Sequence, residues 1–197
     1  MCIYNEHNLN VARVASKNGI KPELSSVFFT KDRTVATDSY RLLEVEVSKD
    51  LDWEKFRQAT THPLMKGVKP FMVNAKLIKE IRLPKVAESG FNAVAIAYAD
   101  DNKVEFITND LQTENTIKMA RVQGEFPDYQ RVIPQGGAVA EIKVNAEYLA
   151  EVVEILGKMG GVSNEVKIKF YGQSKPLVIE GGNEKQRGLG LVMPLAM

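Results

Sequence analysis

The chain is poor in the residues that catalytic and metal centres use. It has 197 residues, with one cysteine, one tryptophan and two histidines. Cys2 alone cannot form an internal disulfide. His7 and His62 each stand apart in polar stretches, so no metal-ligand cluster is spelled out. No phosphate-cradling glycine loop occurs, and no serine sits in a G-x-S-x-G elbow. Gly188-Leu189-Gly190 is too short for a dinucleotide fingerprint. These gaps predict no catalytic residues, no metal and no cofactor. No run nears the roughly 20 apolar residues a membrane helix requires, and the first residues lack a basic start followed by an apolar core. A cytoplasmic protein without a membrane partner is expected. A net charge of +1 excludes a polycation, so any nucleic-acid contact needs basic residues gathered on one face.

What is present suits a buried core: 44% hydrophobic and 26% charged residues. Three segments each read as a helix followed by strands. In the first, Val11, Val14 and Ala15 carry helical spacing, then SSVFF, RTVATDS and RLLEVEV read as strands; a strand ahead of this helix is not evident. In the second, PFMV is extended, Asn74 caps a predicted helix AKLIKEIRL, and AVAIAYA, KVEFIT and NTIKMARV follow. In the third, EIKV leads through Asn145 into a helix with Leu149, Val152, Val153 and Leu156 on one face. Gly160-Gly161 ends it, and VKIKF, PLVIE and LGLVMPL complete the unit. Few helices among many short strands predict an α+β fold, with repeated strand-helix-strands units, curved antiparallel sheets and the helices on one face. A polar connection holding Trp53 separates the first two segments. The expected domains are 1–134, with two units, and 139–197, with one.

Three motifs stand in order along the chain: VATDSYRLLEVEV from Val35, GEFPDYQRVIP from Gly124, and LVMPLAM at the end. Together they resemble the bacterial DNA polymerase III beta subunit, the sliding clamp, whose pattern is a T-D-G-H-R-L strand, a G-x-F-P-D-Y-x-R-V-x-P turn and a terminal V-M-P. Residues 1–134 resemble that family's middle domain, and the chain from residue 139 resembles the second half of its last domain. Ser39 stands where the family has glycine, Tyr40 where it has histidine, and Ala196 where a basic residue is common.

The resemblance implies a DNA-clamp-like fold and a non-catalytic processivity factor that tethers clients through a peptide-binding pocket. The implied pocket residues are Leu24, Thr37, Ser39, Tyr40, Arg41 and Leu42, then Pro127, Arg131 and Val132, then Pro176, Leu191, Val192, Met193, Pro194 and Leu195. Phe126 and Tyr129 are read as packing behind that wall. The implied partners are duplex DNA, held by its backbone without base readout, and a DNA polymerase or other clamp-binding-motif protein. A homo-oligomer is expected as well. Arg13, Lys17 and Lys21, with Lys76, Lys79, Arg82 and Lys85, would face phosphates. The third helix is acidic instead, with Glu147, Glu151 and Glu154 against Lys158. That composition keeps open a second reading, a clamp-fold peptide-binding or regulatory protein that does not encircle DNA. Arg41 and Arg131 are also open to a plain reading as surface ion-pair partners. Asp38 and Asp128 fit turn-forming side chains that accept backbone N–H groups better than general acids.

Overall fold

The computed structural model describes residues 2–49, 69–83, 94–109 and 113–195. The tryptophan-bearing connection, Lys85 and Ala196 lie outside them. The chain forms two compact units, Met1–Arg131 and Val132–Met197.

The first unit holds two strand-helix-strands repeats. The first repeat comprises β1 (Cys2–Asn5), α1 (Glu6–Asn10) with a 3-10 continuation Val11–Val14, then β2 (Ser26–Phe29), β3 (Arg33–Thr37) and β4 (Leu42–Glu46). The second comprises β5 (Phe71–Asn74), α2 (Ala75–Ile78), β6 (Val94–Ala99), β7 (Lys103–Asn109) and β8 (Glu114–Ala120). All pairings are antiparallel. The two sheets run β4-β3-β2-β5 and β1-β6-β7-β8. Each repeat therefore gives its first strand to the other. β1 pairs with β6 through Tyr4↔Ala95, and β5 pairs with β2 through Val27↔Val73. β5 is bridged on its other side, where Met72 meets Val122 just beyond β8.

The strand that the sequence left in doubt is thus present, and it is followed at once by a capping box. Asn5 Oδ1 accepts from the Asn8 backbone N–H at 3.1 Å, while Asn8 Oδ1 accepts from the Asn5 N–H at 3.2 Å. The first helix accordingly begins at Glu6 and tightens into a 3-10 turn at Val11. The predicted helix over AKLIKEIRL is likewise shorter than its pattern. Past Ile78 the bonds run from Glu80 N–H to Leu77 O and from Ile81 N–H to Ile78 O, an i to i−3 spacing. Three residues per turn place Ile78 and Ile81 on one side, and both are buried.

The core of this unit is aromatic at its centre. Phe29 stacks on Phe71 at 5.0 Å and meets Tyr4 and Phe106 edge-on at 4.9 and 5.5 Å. Leu9, Val11, Val27, Val73, Ile78, Ala95 and Ala97 close around them. Asn8 is fully buried, and its Nδ2 donates to Thr34 Oγ1, Val45 O and Glu46 O, tying the first helix to β3 and β4.

The second unit holds one repeat: α3 (Ala146–Met159), then β9 (Val166–Lys169), β10 (Leu177–Gly182) and β11 (Arg187–Val192), in the sheet order β11-β10-β9. Asn145 caps α3 by accepting from Glu147 and Tyr148 N–H at 2.8 and 3.2 Å. The stretch read as a strand EIKV makes a single bridge, Val144↔Pro194, with Leu195 N–H donating to Lys143 O. α3 packs on β10 and β11 through Leu149, Val152, Val153 and Leu156. Glycines admit it. A Cβ at Gly190 would stand 2.3 Å from Val152 Cγ1, and one at Gly188 2.5 Å from Leu156 Cδ2. The Gly-Leu-Gly that is no nucleotide fingerprint is a helix seat.

Candidate functional site

Five of the implied pocket residues share the β3–β4 turn, and Asp38 builds it. Its Oδ1 accepts from Tyr40 and Arg41 N–H, each at 3.0 Å, and its Oδ2 from Arg41 Nε at 3.0 Å. Burial opposes the charge, but the Tyr40 and Arg41 N–H groups and the Arg41 guanidinium together hold the carboxyl below the ordinary aspartate range. Thr37 Oγ1 donates to Arg41 O at 2.9 Å and accepts from Ser39 N–H at 3.2 Å. Ser39 is left at φ 78°, in the left-handed region, and Tyr40 projects almost fully into solvent. Leu42 opens β4 half-buried. Thr37 is buried, so its part here is to fix the turn. Leu24 precedes β2, where its carbonyl accepts from Ser16 N–H at 2.8 Å.

Within the GEFPDYQRVIP segment, Phe126 and Tyr129 lie on the first unit's β4-β3-β2-β5 sheet. Phe126 stacks on Phe28 at 5.0 Å with the planes 6° apart, and Tyr129 meets Phe126 edge-on at 6.1 Å. Burial and a hydrogen bond with Glu44 raise the Tyr129 phenol above its ordinary range, and the same Glu44 pairs with Arg33 at 2.9 Å. These two aromatics are packing, as read. Pro127 stays exposed, and exposed Arg131 pairs with Asp128 at 2.7 Å.

In the second unit, alternate residues of the last strand and its extension face out. Leu189, Leu191, Met193 and Leu195 are all exposed, Met193 at 65%. Pro176 immediately precedes Leu177, which pairs with Val192. Val192 is a correction: it is buried against Leu156, Leu177 and Ile179, because strand alternation turns it to the α3 side. Pro194 is half-buried, and Val132 is exposed.

Four of the implied phosphate-facing residues meet around one groove of about 970 Å³ in the first unit. Arg13 and Lys17 from the first repeat, and Lys76 and Lys79 from the second, line it over a floor that includes Leu9, Ala12, Ile78 and Leu83. All four cations are exposed. Lys21 and Arg82 are exposed as well but do not line the groove. Glu6, Asn10 and Ser16 do line it and were not anticipated. Glu6 and Asn10 stand seven and three residues before Arg13, a helical spacing that becomes readable once Asn5 is recognised as the cap. Among the described residues no three His, Cys, Asp or Glu side chains gather as a metal site, and no helix is long and apolar enough to cross a membrane.

Exchanged first strands, antiparallel sheets and short helices over the core define a DNA-clamp fold. Solved structures carry the same fold under the name of the bacterial DNA polymerase beta subunit. The beta subunit from Streptococcus pyogenes matches with a TM-score of 0.67 at 15% identity, over 98% of this chain and 50% of its own. A sliding clamp from Pseudomonas aeruginosa bound to griselimycin gives 0.66 at 17%, over 98% and 50%. The H. pylori beta clamp in complex with diflunisal gives 0.64 at 15%, over 100% and 50%. The chain thus spans about half the length of the clamps it matches. No family model matches the sequence, and no curated protein does.

Proposed function

We propose that this protein is a sliding-clamp-like, DNA-associated scaffold, a processivity factor that holds client proteins without doing chemistry itself. The observation that carries this reading is the groove of the first unit. Two repeats separated by some sixty residues each bring two cations to it, Arg13 and Lys17, and Lys76 and Lys79. Such an arrangement suits phosphates spaced along a duplex, contacted without reading bases. Lys21 and Arg82 extend the same charge. Client peptides would dock on exposed apolar residues of each unit taken by itself: Tyr40 and Pro127 in the first, beside Arg41 and Arg131 as polar groups, and Leu191, Met193 and Leu195 in the second. In the second unit, the exposed Met193 suits varied partners.

A test is binding of the full chain to duplex DNA at low salt, on closed circles and on linear fragments of the same sequence. Retention on circles with loss from free linear ends is expected of an encircling tether. A Lys76→Glu/Lys79→Glu variant that binds as well as the parent would overturn the groove as the DNA surface. One observation favours a second reading, a clamp-fold peptide-binding regulator: α3 exposes Glu147, Glu151 and Glu154, and Glu154 is further occupied with Lys158. Peptide binding without any DNA retention would select it.

A further inference from the structure

The second unit is one repeat of an architecture that the first unit builds from two. In the first unit, β1 and β5 each pair with the companion repeat, and β5 does a second job as well. β5 bridges its own repeat at Val122 and lends its other edge to β2 of the companion repeat. α2 then covers β2. The second unit repeats the bridge alone. The strand before α3 bridges its own repeat, with Leu195 N–H donating to Lys143 O just as Val122 N–H donates to Met72 O. Both Lys143 and Met72 stand two residues before the capping asparagine. Among the described residues, β9 pairs only with β10. It is the counterpart of β2 and β6, each of which receives a companion's strand, and α3 packs mainly on β10 and β11. Ile168 is accordingly left 42% exposed on the side that should be core, where it pairs with fully buried Ile179.

We infer that the second unit docks on the second unit of another copy of this chain. Each copy lends the strand around Ile142 and Val144 to the other's β9, completing a two-repeat domain about an exact two-fold axis. Register follows from sheet parity. Ile142 and Val144 pack on the core side, as does Val166, so Val144 must oppose Val166 and Ile142 must oppose Ile168. That register sets Lys143 opposite Lys167, a like-charge cost at an exposed position, and it sets Glu141 opposite Lys169, which also pairs with Glu180. This inference rests on the second unit alone and is independent of DNA binding.

The test uses full-length protein with Cys2→Ser. One preparation carries Lys143→Cys and another Lys167→Cys, both at exposed positions. Oxidation of the mixture should give a disulfide-linked dimer, while each preparation alone should not, because like positions do not meet across the axis. Sedimentation should show a dimer, and Ile168→Lys should weaken it at least tenfold. A monomer overturns the inference. So does a dimer indifferent to Ile168→Lys, or cross-linking that is as strong within one preparation as in the mixture. The disulfide readout does not depend on how well Ile168→Lys folds.

Discussion

Ser39 holds φ at 78° in a turn whose other residues are fixed by Asp38 and Thr37. A left-handed conformation costs a residue with a Cβ roughly 1–2 kcal/mol, against about 0.5–1 kcal/mol for glycine's extra freedom in the unfolded chain. Ser39→Gly should therefore raise stability by up to about 1 kcal/mol, read from denaturant midpoints at unchanged slope. Glycine is also what the clamp motif carries there, so the strain is the physical trace of a departure visible in the sequence. Asp38 belongs to the same turn and gives a pH signature. Its folded pKa is depressed, so its contribution is fully present above the ordinary aspartate value of roughly 4 and is lost as the pH falls below it. Asp38→Asn keeps an acceptor for the N–H groups but removes the charge facing Arg41. Parent and variant should differ in melting temperature at neutral pH, and the gap should shrink as the pH falls below the ordinary aspartate range. A constant gap across that range would mean the charge contributes nothing. Asp100 does the same for the β6–β7 turn, accepting from Asn102 N–H at 2.7 Å and Lys103 N–H at 2.6 Å, and Asn183 does so without charge in the β10–β11 turn.

Elements were legible where one local signal sufficed. α3 has a cap, an apolar stripe and a glycine stop, and it lies where they place it. The short helices depart from their sequence pattern because a 3.6-residue spacing runs through segments that tighten to three residues per turn. β1 was unclear because its four residues gain their meaning only from β6, some ninety residues away. The exchange of first strands is invisible to local pattern for the same reason. Yet a trace of it exists: CIYN, FMVN and IKVN each end on the asparagine that caps the following helix. The candidate site divides likewise. The β3–β4 turn and the last strand stand out through the likeness of their motifs to the clamp pattern, whereas the meeting of Arg13 and Lys17 with Lys76 and Lys79 needs the tertiary fold. Packing of α3 makes a contrast that can be measured. A Cβ at Gly181 would lie 2.7 Å from the Leu156 carbonyl oxygen, which cannot step aside, while one at Gly188 meets the flexible ends of Leu156 and Met159. Gly181→Ala should cost about 1–3 kcal/mol and Gly188→Ala clearly less. Equal losses in urea unfolding would mean that the helix shifts as a body.

Over the whole molecule, charge is nearly balanced, with 26 Lys and Arg against 25 Asp and Glu. The proposed affinity for DNA therefore depends on where the cations stand. The four around the first unit's groove are exposed, and among the described residues none of them forms an ion pair. They are available to displace counterions from phosphates, and each displaced contact adds about 0.9 to the slope of log affinity against log salt. If all four act, replacing Arg13, Lys17, Lys76 and Lys79 by alanine should flatten that slope by ~3–4 units and weaken binding to unrelated duplexes equally. Fluorescence anisotropy of two labelled duplexes of different sequence, titrated at several salt concentrations, measures both quantities. The acidic face of α3 supplies the internal control. Glu147→Gln/Glu151→Gln should strengthen binding only if that helix also lies near the DNA, and it should do so by raising affinity at low salt. An unchanged slope in the four-fold variant would place the DNA surface elsewhere or remove it altogether, and the exposed apolar residues would then stand alone as the functional surface.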